Sequence, residues 1–148
     1  MFLTCFNIAV LVLLALLITL YMVIGEEFSL VPVKFISVEK YNTVKVVLSK
    51  KEVVVRLIGV GKAVDNIKAF DKLNSLVKDS NLYLLYDDST VDENGNTVAY
   101  LWTDNKVIVD NRIDIEKYMV NAVLIKEGYV QFESEYPNSR YDYYFEEY

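Results

Sequence analysis

The chain has no histidine and a single cysteine, so two common kinds of functional side chain are missing or nearly so. Without imidazole groups, histidine acid–base catalysis and histidine metal ligation are excluded. Cys5 has no second cysteine to pair with, so no intramolecular disulfide can form and cysteine usage does not indicate a redox compartment.

Positive charge is also in the minority. The sequence has 15 lysines and arginines against 21 aspartates and glutamates, a formal net charge of −6. All of these residues follow Gly25, so the acidic balance belongs to the folded part and repels a phosphate backbone at long range. Nucleic acid is therefore a disfavoured partner unless the fold gathers basic residues into a local patch.

Residues 6–25 form a long apolar run without charge, in contrast to the rest of the chain. As a helix, such a run rises about 30 Å, the thickness of a bilayer's hydrocarbon core. It predicts a single-pass membrane anchor in residues 1–25, or a signal segment cleaved after Gly25 that would leave the protein secreted. We favour the anchor, because signal peptides usually begin with basic residues and have a shorter apolar core. The lysines that follow the run, at positions 34, 40 and 45, weakly favour a cytoplasmic domain.

The remaining residues suffice for one domain, since a chain of 148 residues buries roughly two-thirds of its surface on folding. Alternating and β-branched residues predict two strands in residues 31–49, and further strands at 52–60, 81–86, 97–103, 107–109 and 129–132. The Asn94–Gly95 dipeptide predicts a tight hairpin turn.

Three helices are predicted in the same part of the chain. Asp65 is expected to cap a helix that runs to about Lys78, and a second helix is expected from about Asp114 to Glu127, with Gly128 ending it. Tyr141, Tyr144, Phe145 and Tyr148 share one face of a short helix near the C-terminus. The fold class indicated is α+β, a five-stranded OB-type barrel with two to three packed helices after one transmembrane helix.

Several strings, in this order, resemble the thermonuclease family, the micrococcal-nuclease-like OB-fold enzymes that cut DNA and RNA with calcium. The resemblance covers residues 31–148 and is carried by VRLIGV from Val55, DENGNTVAYLW from Asp92, MVNAVLIKEGYV from Met119, and a Tyr-Pro pair followed by Tyr141 and Phe145.

The resemblance also implies where the catalytic residues should be, and most of them are replaced. Asn42 and Gly61 stand where the family has calcium-ligating aspartates, and Val64 is nearest to the position of its general base. Of two phosphate-binding arginines, Arg56 is retained and Asn96 replaces the other. Glu133 and Glu135 stand in the region of the family's substrate-binding tyrosines.

These substitutions predict a catalytically inactive relative, because even one electrostatic donor can be worth about 3 to 4 kcal/mol of transition-state stabilisation. We expect no catalytic residue, no metal ligand and no cofactor, and an interaction or structural role at the membrane with an unidentified protein partner. Arg56 has a plainer interpretation as a partly buried arginine paired with an acid. Likewise, Asp87, Asp88, Asp92 and Glu93 are better explained as a solvated acidic turn than as a calcium loop.

Two alternative functions are also compatible with the sequence. One is a weak or rewired Ca²⁺-dependent nuclease, and the other is an OB-type module that binds oligonucleotides or oligosaccharides. The resemblance favours an extracytoplasmic domain, in disagreement with the lysine placement. An apparent insertion at residues 106–117 is interpreted as a longer hairpin rather than a binding elaboration.

Overall fold

A computed structural model describes the backbone of residues 2–24 and 29–148, and the side chains of residues 7–20 and 29–148. Its first element is a helix, Phe2–Ile24 (α1). Judged on the described residues alone, no helix combines the length and the apolar character needed to cross a membrane. The predicted cleavage point at Gly25 lies outside the described residues.

Seven strands and four helices follow α1 in the described part of the chain. The strands are Val31–Lys40 (β1), Thr43–Leu48 (β2), Lys51–Leu57 (β3), Val60–Ala63 (β4), Leu82–Leu85 (β5), Thr97–Trp102 (β6) and Val130–Phe132 (β7). The helices are Asn66–Val77 (α2), Arg112–Tyr118 (α3), Val120–Lys126 (α4) and Asp142–Phe145 (α5).

Five of the strands close into a barrel in the order β1-β2-β3-β6-β5. Strand β5 pairs with β1 and completes the circle, β3 and β6 are parallel, and the other neighbours are antiparallel. Strands β4 and β7 form a separate two-stranded antiparallel sheet. The predicted α+β class and five-stranded OB-like barrel are thus confirmed.

Local sequence explains the first of the packed helices and the turn before β6. The Asp65 side chain accepts hydrogen bonds from the backbone N–H groups of Ile67 and Lys68, so it satisfies two donors at the start of α2. Gly95 has φ +77°, a left-handed conformation that glycine adopts without strain. Both features are as predicted.

The strand predicted at residues 52–60 is divided. Gly59 has φ +79°, which ends β3 and turns the chain into β4, so the two strands belong to different sheets. A Cβ at this position would lie 3.0 Å from the ring of Phe145, which shows how closely α5 approaches the turn.

The region of residues 104–127 also differs from the prediction. Residues 107–109 do not form the expected strand, and the insertion folds into a turn and α3 instead of a longer hairpin. The helix expected from Asp114 to Glu127 is broken at Met119, whose backbone is extended and forms an isolated β-bridge with Trp102. This contact with the barrel outweighs the local helical preference of the chain.

The core lies inside the barrel and between the barrel and its helices. An aromatic group joins α5 to β6, with the rings of Tyr100 and Tyr141 packed edge to face at 4.7 Å between centroids. A fully buried amide, Asn121 on α4, donates to the carbonyl of Ile58 at 2.8 Å and accepts from the N–H of Leu101 at 2.9 Å. These contacts fix α4 against the ends of β3 and β6, the strands that carry the site.

Candidate functional site

Arg56 lies at the centre of a polar pocket on one side of the barrel. It is located on β3, beside Thr43 of β2, and its side chain is 25% exposed. Its Nη1 and Nη2 atoms donate to the two carboxylate oxygens of Glu135 at 2.6 and 2.8 Å, and its Nε donates to Asp92 at 3.0 Å. The hydrogen bonds to Glu135 raise the pKa of Arg56 more than burial lowers it. The guanidinium is therefore held by two carboxylates in a fixed orientation.

Asp92 also stabilises the turn before β6. Its Oδ1 atom accepts from the backbone N–H groups of Asn94 and Asn96, both at 2.9 Å. Burial alone would raise the pKa of Asp92, but the hydrogen bonds from the Asn96 backbone and from Arg56 outweigh it and lower the pKa below its ordinary value of 3.8. Asp92 is thus a stable anion that ties the turn to Arg56.

Glu135 reaches Arg56 from the segment of residues 133–138, which follows β7. At its start, the N–H of Glu133 donates to the carbonyl of Gly59 at 3.0 Å. Within the segment, the N–H of Asn138 donates to the carbonyl of Glu135 at 2.7 Å and closes a turn. The Asn138 side chain is buried and accepts from the N–H of Ser89 at 2.7 Å. The carboxylate of Glu135 is therefore presented by an ordered backbone.

Gly61, on β4, lies against the same segment. A Cβ at this glycine would be 2.9 Å from the Cβ of Glu133, 3.2 Å from its carboxylate Oε2 and 3.0 Å from the carbonyl oxygen of Gln131. Contacts this short require something to move, and one of them is to backbone. The side chain of Glu133 therefore occupies the space that a residue larger than glycine would need at position 61.

The structure brings most of the residues selected from the sequence together. Asn42, Arg56 and Gly61 line one pocket of about 560 Å³. Asn96 lies in an adjoining groove of about 610 Å³, which shares Asn42 and Arg56 with the pocket, and its amide donates to Asp92 at 3.3 Å. Val64 is separate: it is 72% exposed and lines a different groove, beside Ile125 and Gly128 of another part of the surface.

The pocket has more negative than positive side chains. Its lining includes two cations, Arg56 and Lys62, and four carboxylates. The carboxylates are those of Asp92, Glu93, Glu133 and Glu135. The local balance thus agrees in sign with the net charge of −6 of the whole chain.

The donor groups near Asn42 and Gly61 do not fit a calcium site. Ca²⁺ in proteins takes six to eight oxygen ligands, several of them from carboxylates. Asn42 supplies one amide oxygen, which already accepts from the hydroxyl of Thr43 at 3.0 Å, and the carboxylate beside Gly61 is that of Glu133. Among the described residues, no three histidine, cysteine or acidic side chains form a group that could hold a metal ion. Asp92 and Glu135, the carboxylates nearest to Arg56, are engaged by that arginine.

Sequence reasoning missed the roles of Asp92 and Glu135. The plainer interpretation of Arg56, as an arginine paired with an acid, is the one that the structure shows, but its partners were not identified. Glu135 is 79 residues from Arg56 along the chain, so no local pattern connects them. The available indication was that Glu133 and Glu135 lie in the region where the family resemblance places substrate-binding tyrosines.

Comparison with known protein families identifies a match in the second half of the chain. A family model described as Staphylococcal nuclease homologue matches residues 65–148, which is more than half of the chain. A search of the curated proteins finds no match. The matched region includes Asn96, Asp92 and Glu135, whereas Asn42, Arg56 and Gly61 precede it. Arg56 is connected to that region through the closed barrel, and Gly61 through the β4–β7 sheet.

Proposed function

We propose that this chain, which belongs to the family of Staphylococcal nuclease homologues, serves as a catalytically silent interaction or structural module tethered to a membrane. The family model matches residues 65–148 and supports a thermonuclease-like fold. The absence of catalysis, the membrane tether and an unidentified protein partner are the parts that we infer.

The packing at Gly61 is the observation that carries the proposal of a silent site. The family resemblance puts a metal-ligating aspartate at this position. Here the residue is a glycine, and the space for a side chain is filled by Glu133, whose Cβ is 2.9 Å from where the missing Cβ would be. We therefore expect that Gly61→Asp alone does not restore the ligand, because its Cβ would meet the side chain of Glu133.

The charge of the pocket supports a partner other than nucleic acid. A polyanion would meet four carboxylates, and Arg56, the cation best placed to bind phosphate, is already engaged by two of them. Binding to nucleic acid depends mainly on neutralisation of phosphates by lysine and arginine. Protein side chains that carry hydrogen-bond donors or positive charge are better matched to this lining.

The proposed tether depends on the uncharged run of residues 6–25. In the structure, residues 7–20 of α1 are exposed, and their side chains include many leucines. An exposed apolar helix is costly in water and favourable in a bilayer, where its backbone groups remain hydrogen-bonded.

A digestion assay tests the silent site. The full chain, in detergent, is incubated with heat-denatured DNA and Ca²⁺, with an active thermonuclease as positive control. We expect no turnover above the protein-free blank from the wild type or from Arg56→Ala. Turnover that requires Ca²⁺ and disappears in Arg56→Ala would refute the silent module and favour a rewired nuclease.

A fractionation experiment tests the tether separately. We expect the wild-type chain to stay in membranes after alkaline carbonate extraction and Leu13→Arg/Leu17→Arg to be released, since each arginine at a helix centre costs about 2.5 to 3.5 kcal/mol on insertion. The matched control is Leu13→Ala/Leu17→Ala, which should remain bound. Release of the wild type, or a product that begins at Glu26, would contradict an uncleaved anchor.

A further inference from the structure

The contact between Arg56 and Glu135 has the geometry of ligand recognition. A guanidinium binds carboxylates and phosphates through two parallel N–H donors, and this fork gives both strength and orientation. In this protein both oxygens of Glu135 meet the two Nη atoms of Arg56, at 2.6 and 2.8 Å. The carboxylate thus lies where a small oxyanion would bind to the same arginine.

The surroundings of Arg56 leave room for such an anion. The pocket has a volume of about 560 Å³, within the range of small-molecule sites, and polar neighbours that include Asn42, Ser89 and Asn94. The pocket is therefore large enough for a small oxyanion, but the paired donors of its arginine are already in use.

Contacts of the segment that carries Glu135 hold this residue beside Arg56. Residues 133–138, which we call the plug segment, continue from β7 and fill the space beside Gly61 with the Glu133 side chain. At the other end, the buried Asn138 binds the N–H of Ser89. Because the backbone is fixed at both ends, little conformational entropy is lost when Glu135 binds Arg56.

We propose that the plug segment is an internal inhibitor of anion binding. In this proposal, the Glu135 carboxylate occupies the position on the two Nη atoms of Arg56 where a bound oxyanion would lie. Small oxyanions of the phosphate or carboxylate class are excluded from the pocket as long as Glu135 stays in place. This inference concerns binding without bond cleavage, so it stands apart from the proposed function and does not need calcium.

The test measures binding of inorganic phosphate to the full chain in a zwitterionic detergent, without calcium and at constant ionic strength. We expect no saturable binding to the wild type and saturable binding to Glu135→Ala, with a gain in affinity of at least about tenfold, the equivalent of one charge-assisted hydrogen bond. Adding Arg56→Ala to Glu135→Ala should abolish the gain.

Glu93→Ala is the matched control. Glu93 lines the same pocket and carries the same charge, but it is exposed and is not among the partners of Arg56. Its removal changes the charge of the pocket but leaves Glu135 bound to Arg56, so phosphate binding should stay as in the wild type. Should Glu135→Ala fail to give a cooperative thermal unfolding transition, Glu135→Ser, whose side chain is too short to occupy the same position on Arg56, takes its place and is judged by the same criterion.

Two results would overturn the inference. One is phosphate binding by Glu135→Ala, or its replacement, that is no tighter than binding by Glu93→Ala, which would reduce the effect to overall charge. The other is wild-type binding as tight as that of the variant, which would show that Glu135 does not exclude the anion. Either result is independent of whether the chain digests DNA.

Discussion

The side chain of Asn121 supplies Leu101 with a hydrogen-bond acceptor in place of a neighbouring strand. The Oδ1 atom of Asn121 accepts the Leu101 N–H at 2.9 Å, inside the core. Its amide nitrogen donates to the carbonyl of Ile58 at 2.8 Å. A single side chain from α4 therefore satisfies buried backbone groups of two different segments of the barrel.

Asn121→Leu should lower the free energy of unfolding by about 2 to 4 kcal/mol, because it leaves a buried N–H and a buried C=O without partners. Chemical denaturation followed by circular dichroism measures the loss. Asn105→Ala, at an exposed position, is the control and should change stability by less than about 0.5 kcal/mol. Equal effects of the two substitutions would contradict the role given to Asn121.

Gly61→Asp should destabilise the protein by about 1 to 3 kcal/mol, since its Cβ would meet Glu133 and the Gln131 carbonyl. Glu133→Gly removes the side chain that fills this space. In a double-mutant cycle, the combined variant should therefore be more stable than the sum of the single effects predicts, by at least about 0.5 kcal/mol. Additive effects would show that the two positions do not compete for space.

Arg56→Lys should behave much more like Arg56→Ala than like the wild type. Lysine keeps the positive charge but lacks the fork that binds both oxygens of Glu135 and one of Asp92. We expect each substitution to lower the free energy of unfolding by about 1 to 3 kcal/mol, because the carboxylates lose their partner. Wild-type stability of Arg56→Lys would mean that charge alone matters here.

Asp92 should make the protein sensitive to acid. Its pKa is lower in the folded state than its ordinary value of 3.8, so the stability that its ionised form contributes is complete above pH 3.8. That contribution is lost as the pH falls through the folded-state pKa. Asp92→Asn should be less stable than the wild type near neutral pH and should show a shallower loss below pH 3.8. The free energy of unfolding is measured by urea denaturation across this pH range. If the wild type and Asp92→Asn lose stability in parallel as the pH falls, Asp92 is not the source of the acid sensitivity.

Glu116 belongs to a separate surface network near the C-terminus. Hydrogen bonds from Lys126, Tyr148 and Arg112 lower its pKa to about 2. We expect Lys126→Met to raise the pKa of Glu116 toward its ordinary value of 4.5, and by more than Tyr148→Phe does, since the bond from Lys126 has the larger effect. Carboxyl resonances followed by NMR titration give both values. Lys62→Met, at a distant exposed lysine, should leave the Glu116 pKa unchanged.

The elements that the sequence predicted well are those specified by neighbouring residues. Asp65 caps α2 through contacts with the next few residues, and Gly95 permits a turn that few other residues would adopt. These are local effects, which a pattern of residues contains in full. The five-stranded barrel was predicted from the order of these strands and helices along the chain.

The features that were missed depend on contacts across the fold. The helix predicted from Asp114 to Glu127 has good local periodicity, but Met119 leaves the helical conformation to form a bridge with Trp102. In the same way, the pairing of Arg56 with Glu135 exists only because the barrel brings β3 beside the segment after β7. Tertiary contacts decided both, and no window of sequence contains them.

The closed barrel also limits how a partner protein can attach. With β5 paired to β1, all five barrel strands have two neighbours, so an incoming strand could extend only the stretches that lack a partner on one side, such as residues 51–54 of β3. Backbone-to-backbone addition is thereby limited to these stretches and to the short β4–β7 sheet. Recognition elsewhere on the domain must therefore be made by side chains, which ties its specificity to a few substitutable positions.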